Sequence, residues 1–344
     1  MNPEEIIHAF DSGERDLEPL LENMGWKSWL GVAELGLVMG SDIVDYLEER
    51  LSPAEFKVLS LVKSRIAGTI SLDEVEEALT VARDPETRDL ALEGRLRMER
   101  GLIHFESGDI EAARDDLTWA ETRLKSVSKA SRDHDISLLN KAAFHLSVDE
   151  SMMALHVHGE ISRKAGHADE TIAISRIQAA RIHLGYGHMF DAARCAFNAH
   201  AHAILAKQTE LAVESGAIFV EISSGFISEE AERFADQIVG AGPLSAGEEA
   251  PVLQVNPEDV HGVLEWCISN TIPGYSGDER PDLRALMMLA KRLGKGELFS
   301  DMLEDPTQVD DAMLAALCAS VCEDESMAKL WTDRVTEIMT LQGV

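Results

Sequence analysis

Basic residues, aromatic residues and cysteines are all scarce in this sequence of 344 residues. Only 31 lysines and arginines stand against 62 acidic residues, which gives a formal net charge of −31. Such a surface repels phosphate backbones and anionic lipids, so we expect neither nucleic acid nor a membrane as a partner. Two interpretations of the charge stay open: a protein partner with basic flanks, or an acidic surface adapted to salt.

Long hydrophobic runs are also missing. The best one, residues 313–322, has ten residues, whereas a membrane span requires roughly 18. The opening MNPEEIIHAFDSGERD is acidic and lacks the basic segment and apolar core of a secretory signal. Because 45% of the residues are hydrophobic, the chain can still bury a large core. We therefore expect a soluble, cytoplasmic protein.

The four cysteines, at positions 195, 267, 318 and 322, do not form a metal-binding pattern. Cys318 and Cys322 are four residues apart and share a helix face, but no second pair or histidine cluster lies near them in sequence. We predict buried thiols in a reducing compartment.

Strand-like alternation of useful length is absent, whereas helix start signals are frequent. Ser52 with Glu55, and Ser71 with Glu74, have the spacing of a capping box. A capping side chain followed by a helix-opening proline occurs at residues 84–85, 256–257 and 305–306. The sequence therefore predicts an all-α fold.

These signals predict a succession of helical hairpins. Upstream helices are expected near residues 2–11, 14–24, 28–39, 41–50, 53–67 and 71–83. Further helices follow at 85–106, 110–125, 132–147, 149–165, 168–185, 189–206, 208–223 and 228–239. The hairpins begin near residues 85, 132, 168 and 208, a spacing of about 40. A two-helix unit cannot cover its own apolar face, so we expect the units to stack.

The pattern divides the chain into four regions. Residues 1–83 form an N-terminal helical region of degenerate repeats or capping helices, and residues 84–240 form the repeat array. Glycine, proline and serine interrupt the helical pattern at 241–255, where we place a linker. Residues 256–344 form a C-terminal helical region.

Small residues at regular spacing give the array a family resemblance. Gly101, Gly108-Asp109, Ala113 and Ala120 in residues 94–125 resemble the tetratricopeptide repeat, and Ala180, Gly187, Ala192 and Ala199 repeat the spacing in residues 173–206. The resemblance implies antiparallel hairpins stacked as a right-handed superhelix, with helices crossing at the small residues and Asp109 capping after the turn. Arg97 and Arg176 stand where the family has a large aromatic residue.

The resemblance also implies a peptide-binding groove lined by the first helix of each hairpin. The positions carried over from the family, mostly apolar with a few charges, are Arg95, Met98, Leu102, Phe105, Glu106, Asp135, Leu138, Ala142, His145, Leu146, Ile174, Ile177, Arg181 and Leu184. The expected function is a protein–protein interaction scaffold or adaptor that binds an apolar or amphipathic peptide, with no cofactor. The alternative that these side chains are internal stays open.

Two other classes of function remain. One is a regulatory or sensor module that binds a small ligand or a signalling peptide. The other is an enzyme with a histidine-rich metal site, because ten of the 12 histidines lie between residues 104 and 202. The pairs His156/His158 and His200/His202 cannot each chelate one ion, since helical residues two apart point in nearly opposite directions. A pair of His156 with Glu160, or a site across helices with His183 or His188, is conceivable. No zinc-protease, P-loop, nucleophile-elbow or dinucleotide-binding motif is present in the sequence.

The final segment SMAKLWTDRVTEIMTLQGV has one broad apolar face at helical spacing. We expect it to pack within the C-terminal region. The alternative is that it occupies the groove as a tethered ligand.

Overall fold

The computed structural model of the protein describes residues 3–23, 29–86, 88–223, 257–271, 281–322 and 324–341. These residues form an all-α structure without any strand. The chain divides into two compact units, Met1–Phe144 and His145–Val344, here called the first and the second unit. The fold class expected from the sequence is therefore confirmed.

The first unit is built from consecutive helices that pack against their neighbours. They are α1 (Pro3–Asp11), α2 (Glu18–Asn23), α3 (Leu30–Met39), α4 (Ile43–Glu48), α5 (Pro53–Ile66), α6 (Leu72–Ala82), α7 (Leu90–Glu106) and α8 (Ile110–Val127). The division between the units falls inside α9 (Arg132–Ser147). One apolar cluster, from Ile6 to Leu96, forms the core of this unit.

The second unit continues with α10 (Ser151–Glu160), α11 (Asp169–Gly185), α12 (Met189–Leu205), α13 (Thr209–Ser223), α14 (Pro257–Thr271), α15 (Pro281–Leu293), α16 (Ser300–Leu303), α17 (Ala312–Val321) and α18 (Glu325–Leu341). Short 3-10 helices occupy Gly296–Phe299 and Pro306–Gln308. Helices α11, α12 and α13 pack in succession, and α13 also contacts α14 and α15. Their core runs from Ala179 to Ile338.

Local signals placed most helix ends correctly. Both predicted capping boxes are formed: Ser52 caps α5 and Ser71 caps α6, with Glu55 and Glu74 bonding back to the cap residues. At the turn between α7 and α8, Gly108 has φ 85°, a conformation that favours glycine. The Asp109 side chain accepts a hydrogen bond from the Ala112 amide at 3.1 Å.

Several predicted helix bounds are wrong; the helix expected from residue 14, for example, begins at Glu18. The helix expected from residue 85 begins at Leu90, because Asp84 closes a turn by accepting from Glu86 N, while Asp89 caps α7. Asp305-Pro306 opens only a 3-10 helix. The helix expected over 149–165 ends at Glu160.

Arg176 explains the early end of α10. Its guanidinium is fully buried and donates to the carbonyl oxygens of His158 and Ile161 at 2.9 and 2.8 Å. These bonds satisfy carbonyls that a longer helix would have used. Arg97, the other arginine in the family's aromatic position, lays its guanidinium over the ring of Trp119, with 4.3 Å from Cζ to the centroid.

Two predicted regions lie outside the described residues, namely the helix at 228–239 and the linker at 241–255. The boundary predicted between residues 83 and 84 stays a prediction. Helices α6 and α7 pack together across it within the first unit, as a capping region and its first repeat also would.

Small residues bring helices close together in both units. A Cβ at Gly101 would lie 3.0 Å from Leu117 Cγ and 3.3 Å from the Ala113 carbonyl oxygen, so α7 and α8 cross almost in backbone contact. In the second unit Ala180, Ala192 and Ala199 are fully buried between α11 and α12. These positions are the ones that the repeat resemblance selected.

The C-terminal helix α18 packs against α17 in the second unit. The Trp331 side chain is fully buried, and its Nε1 donates to the Leu303 carbonyl oxygen at 3.0 Å. Arg334 donates to the Val309 carbonyl oxygen at 3.0 Å. The expectation that this segment packs within the C-terminal region is thus confirmed.

No helix among the described residues combines the length and the apolar character needed to cross a membrane.

The crossing of α7 and α8 predicts the effect of Gly101→Leu. The added side chain would overlap Leu117 and the Ala113 backbone, which should lower the free energy of unfolding by about 1–3 kcal/mol or more. Ala113→Leu should act in the same direction, since Ala113 is fully buried at this crossing. Thermal melts measure both variants.

Gly262→Ala is the matched control, because a Cβ there meets no atom within 4 Å on the exposed side of α14. It should leave stability unchanged or raise it by up to about 1 kcal/mol. Melting of the Gly101 variant at the parent temperature would show that the crossing is not close.

Trp331→Ala should lower the free energy of unfolding by about 3–5 kcal/mol, because it opens a large cavity and removes the bond to Leu303. Leu330→Ala, at a neighbouring side chain that is 51% exposed, should change stability by less than about 0.5 kcal/mol. Chemical denaturation compares the two, and equal effects would contradict the buried position of α18.

Candidate functional site

A groove on the second unit is a candidate ligand site. It has a volume of about 1030 Å³, and its described lining residues lie on α11, α13 and α15, apart from Gln208 just before α13. Helix α13 lies in the middle, since it contacts both α11 and α15. These three helices thus present one shared side.

The groove has an apolar floor and a charged rim. Its apolar side chains come from all three helices and are Ile174, Leu184, Leu211, Ala217, Ile218, Ala285, Met288 and Leu289. Met288 is 60% exposed, so most of its side chain is accessible to a ligand.

The charged lining residues are four glutamates and two arginines: Glu170, Glu210, Glu214, Glu221, Arg181 and Arg292. Arg181 forms an ion pair with Glu214, which joins α11 to α13 across the groove wall. Both side chains are partly exposed, so the pair contributes little to stability, but it neutralises one of the two cations. The rim is therefore acidic overall.

The structure brings together three of the residues that the sequence selected in this region. Ile174 and Leu184 are half-buried and Arg181 is exposed, and all three line the groove. Ile177, on the same helix, is only 2% exposed and packs in the interior. His145 is buried and pairs through Nδ1 with the Glu150 carboxylate at 2.7 Å.

Most of the other selected residues lie in the first unit, where Arg95 belongs to an ionic cluster. Arg95 on α7 is 8% exposed and contacts Asp133 on α9 at 2.6 Å, Glu99 at 3.3 Å and Glu34 on α3 at 3.4 Å. Arg65 on α5 also pairs with Glu99, at 2.8 Å, and so adds a second arginine to the cluster. Burial raises the pKa of Glu34, and the three surrounding carboxylates raise that of Arg95 against its own burial.

The remaining selected residues differ in how exposed they are. Met98, Asp135, Leu138 and Ala142 are buried. Leu102 and Phe105 are half-buried, and Phe105 makes an edge-to-face contact with Phe144 at 5.8 Å between ring centroids. Glu106 is exposed and pairs with Arg65 at 3.2 Å. Leu146, in the second unit, is 38% exposed.

Sequence reasoning did not select the groove residues of α13 and α15. The four residues Leu211, Glu214, Ile218 and Glu221 follow one another at spacings of three and four, which places them on one helix face. This spacing could have identified the groove face of α13 from the sequence. The positions were instead selected by the glycine and alanine spacing of the repeat family, which the hairpin starting near residue 208 lacks.

The paired histidines point in opposite directions, as expected. The His156 side chain is 70% exposed and lies 3.7 Å from Glu160, whereas His158 is buried against Ser175 at 3.1 Å. Burial and the nearby Arg176 lower the pKa of His158 to about 4. His158 is therefore neutral at pH 7 and serves packing between α10 and α11.

Two further features bear on chemistry. His183, His188 and Asp191 place one ligand atom each within 4.8 Å of one another at the turn between α11 and α12. His183 also lines a cavity of about 430 Å³ together with His156, His158 and Arg176.

Three of the four cysteines, Cys195, Cys267 and Cys318, are buried as predicted, whereas Cys322 is partly exposed. Burial raises the pKa of the Cys318 thiol to about 12, so this thiol stays protonated at neutral pH.

Comparison with known proteins gives no family: no protein-family model matches the chain, and no curated protein matches it.

The neutral burial of His158 predicts acid sensitivity. An unfolded histidine titrates near pH 6.5, so between pH 6.5 and about 4 the unfolded state binds a proton that the folded state does not. The free energy of unfolding should therefore fall as the pH drops through this window, by roughly 2 kcal/mol at pH 5 from this group alone. Burial of His183 and His200 acts in the same direction.

Thermal melts of His158→Gln at pH 7.5 and pH 5 test this assignment. The variant should lose less stability on acidification than His156→Gln, which changes an exposed histidine on the same helix. An identical pH dependence in both variants would show that His158 is not buried in its neutral form.

Proposed function

We propose that this protein is a non-catalytic interaction scaffold that binds an amphipathic helical peptide with basic residues in the groove of α11, α13 and α15. The observation that carries the proposal is the combination of an apolar floor with an acidic rim in a groove of about 1030 Å³. As part of the proposal, the alternating helices form a tetratricopeptide-like superhelix with the groove on its concave side.

The dimensions of the groove suit a short helix. Packed helices lie about 8–10 Å apart, so three neighbouring helices present a surface roughly 20 Å across. An α-helix rises about 1.5 Å per residue and covers that distance with about 13 residues. Such a helix presents apolar side chains at intervals of three and four to a continuous apolar floor.

The rim supports the choice of a cationic ligand. Glu170 and Glu210 are exposed at the ends of α11 and α13 that line the groove, and Arg181 is already paired with Glu214. Lysines or arginines on the polar face of a bound helix would meet these carboxylates and accelerate association at low salt. An acidic peptide would be repelled by the same groups.

Met288→Arg is the sharpest test, because it places a cation on the groove floor at a side chain that is 60% exposed and whose loss does not threaten the core. The probe is a designed amphipathic helix of about 14 residues with a basic polar face. We expect binding by calorimetry, weakened by salt, and an affinity at least about tenfold lower for the variant, about 1.4 kcal/mol.

Met313→Arg is the matched control, since Met313 is 65% exposed in the same unit and does not line the groove. It should leave peptide affinity unchanged. A peptide of the same apolar face with an acidic polar face should bind at least about tenfold more weakly. Equal affinity of both peptides, or equal loss in both methionine variants, would rule out binding in this groove.

A further inference from the structure

The turn between α11 and α12 brings two histidines and a carboxylate together. His183 is the third residue from the end of α11, His188 directly precedes α12, and Asp191 is the third residue of α12. The turn itself is well defined, because His188 N donates to the His183 carbonyl oxygen at 2.9 Å and Gly187 N to that of Leu184 at 3.0 Å. Gly187 has φ 72°, which lets the chain reverse within these few residues.

His183 is the most telling member of this group. His183 is only 9% exposed. Neither its Nδ1 nor its Nε2 has a hydrogen-bond partner in the described part of the chain. A buried imidazole normally makes at least one such bond, since burial removes its bonds to water.

Asp191 is held by a neighbour that a metal would not displace. Arg194, 4% exposed, donates from Nη2 to one Asp191 oxygen at 3.2 Å. A carboxylate has two oxygens, so this bond leaves the second one for an ion. Outer-sphere hydrogen bonds of this kind orient metal ligands in proteins.

We propose that His183, His188 and Asp191 bind a zinc ion. Two imidazole nitrogens and one carboxylate oxygen are donors that Zn²⁺ accepts, whereas Ca²⁺ and Mg²⁺ prefer sites made of oxygen alone. Three protein ligands leave a fourth position, which water fills.

The geometry requires a small adjustment. Zinc lies about 2.1 Å from each ligand, so tetrahedral ligand atoms are roughly 3.4 Å apart, while the three groups here lie within 4.8 Å of one another. His188 is exposed and can rotate to close the difference. His183 is fixed by burial and supplies the preformed part of the site.

Zinc titration of the full-length protein at pH 7.5, followed by calorimetry, tests the proposal. We expect one zinc ion per chain and a higher melting temperature in its presence. His188→Ala and Asp191→Ala should each weaken zinc binding by at least about 100-fold, since loss of a direct ligand costs no less than loss of an outer-sphere partner. His188 is exposed, so its variant should fold as the parent does.

His156→Ala is the control, because His156 is exposed on the wall of the adjoining cavity and lies outside the group of three ligands. Its zinc affinity should equal that of the parent. Replacing zinc with Co²⁺ gives a second readout, a visible absorption band that should disappear in His188→Ala. Equal zinc affinity in His188→Ala and the parent, or no binding tighter than weak surface association, would overturn the proposal.

Discussion

An antiparallel pair of amphipathic helices has apolar surface on both sides, and only a neighbouring helix can cover what the partner leaves exposed. In this chain the distance between partners is set by small residues. Gly101 and Ala113 bring α7 to α8, and the buried alanines between α11 and α12 act in the same way. At the α7–α8 crossing each bulky side chain faces a glycine: Leu117 packs against Gly101 and Leu124 against Gly94. There is no room for a side chain at either glycine, so these small residues set how closely the two helices approach.

Two groups of helices carry different chemistry. Charges are buried between α3, α5, α7 and α9, with Arg95 at the centre among carboxylates from three helices. Such a cluster adds little net stability over apolar packing, but removing one member would leave a buried charge unpaired, at a cost of about 3–5 kcal/mol. It therefore fixes how these helices pair more than how strongly they pair. On α11, α13 and α15 no comparable cluster fills the surface among the described residues, and apolar side chains remain half-exposed around a groove.

Features that depend on residues close together in the sequence could be predicted, whereas features that depend on distant partners could not. Capping boxes and the Gly108-Asp109 turn depend on residues within four positions, so their pattern identified the helices and the fold class. The predicted helix ends were wrong where a residue distant in sequence determines the end, as Arg176 does for α10 by bonding to carbonyl oxygens at that end. Arg95 and Ile174 occupy equivalent positions in the two stretches that resemble the repeat. The first is buried because Asp133 and Glu34 approach it from 38 and 61 positions away, and no local signal reports such partners.

Many of the basic residues are already paired with carboxylates within the protein, which affects the charge that remains at its surface. Arg65, Arg95 and Arg100 are committed to carboxylates inside the first unit, and Arg181 is paired at the groove wall. With 31 basic residues against 62 acidic ones, pairing of this kind leaves carboxylates in excess at the surface. A second copy of the chain carries the same excess, so it would bring like charge to an acidic rim. Occupation of the groove by another copy is therefore disfavoured electrostatically, and an apolar segment that carries its own cations has the opposite balance. The negative charge that led us to expect neither nucleic acid nor anionic lipid as a partner also favours, for the proposed groove, a protein segment that carries basic residues.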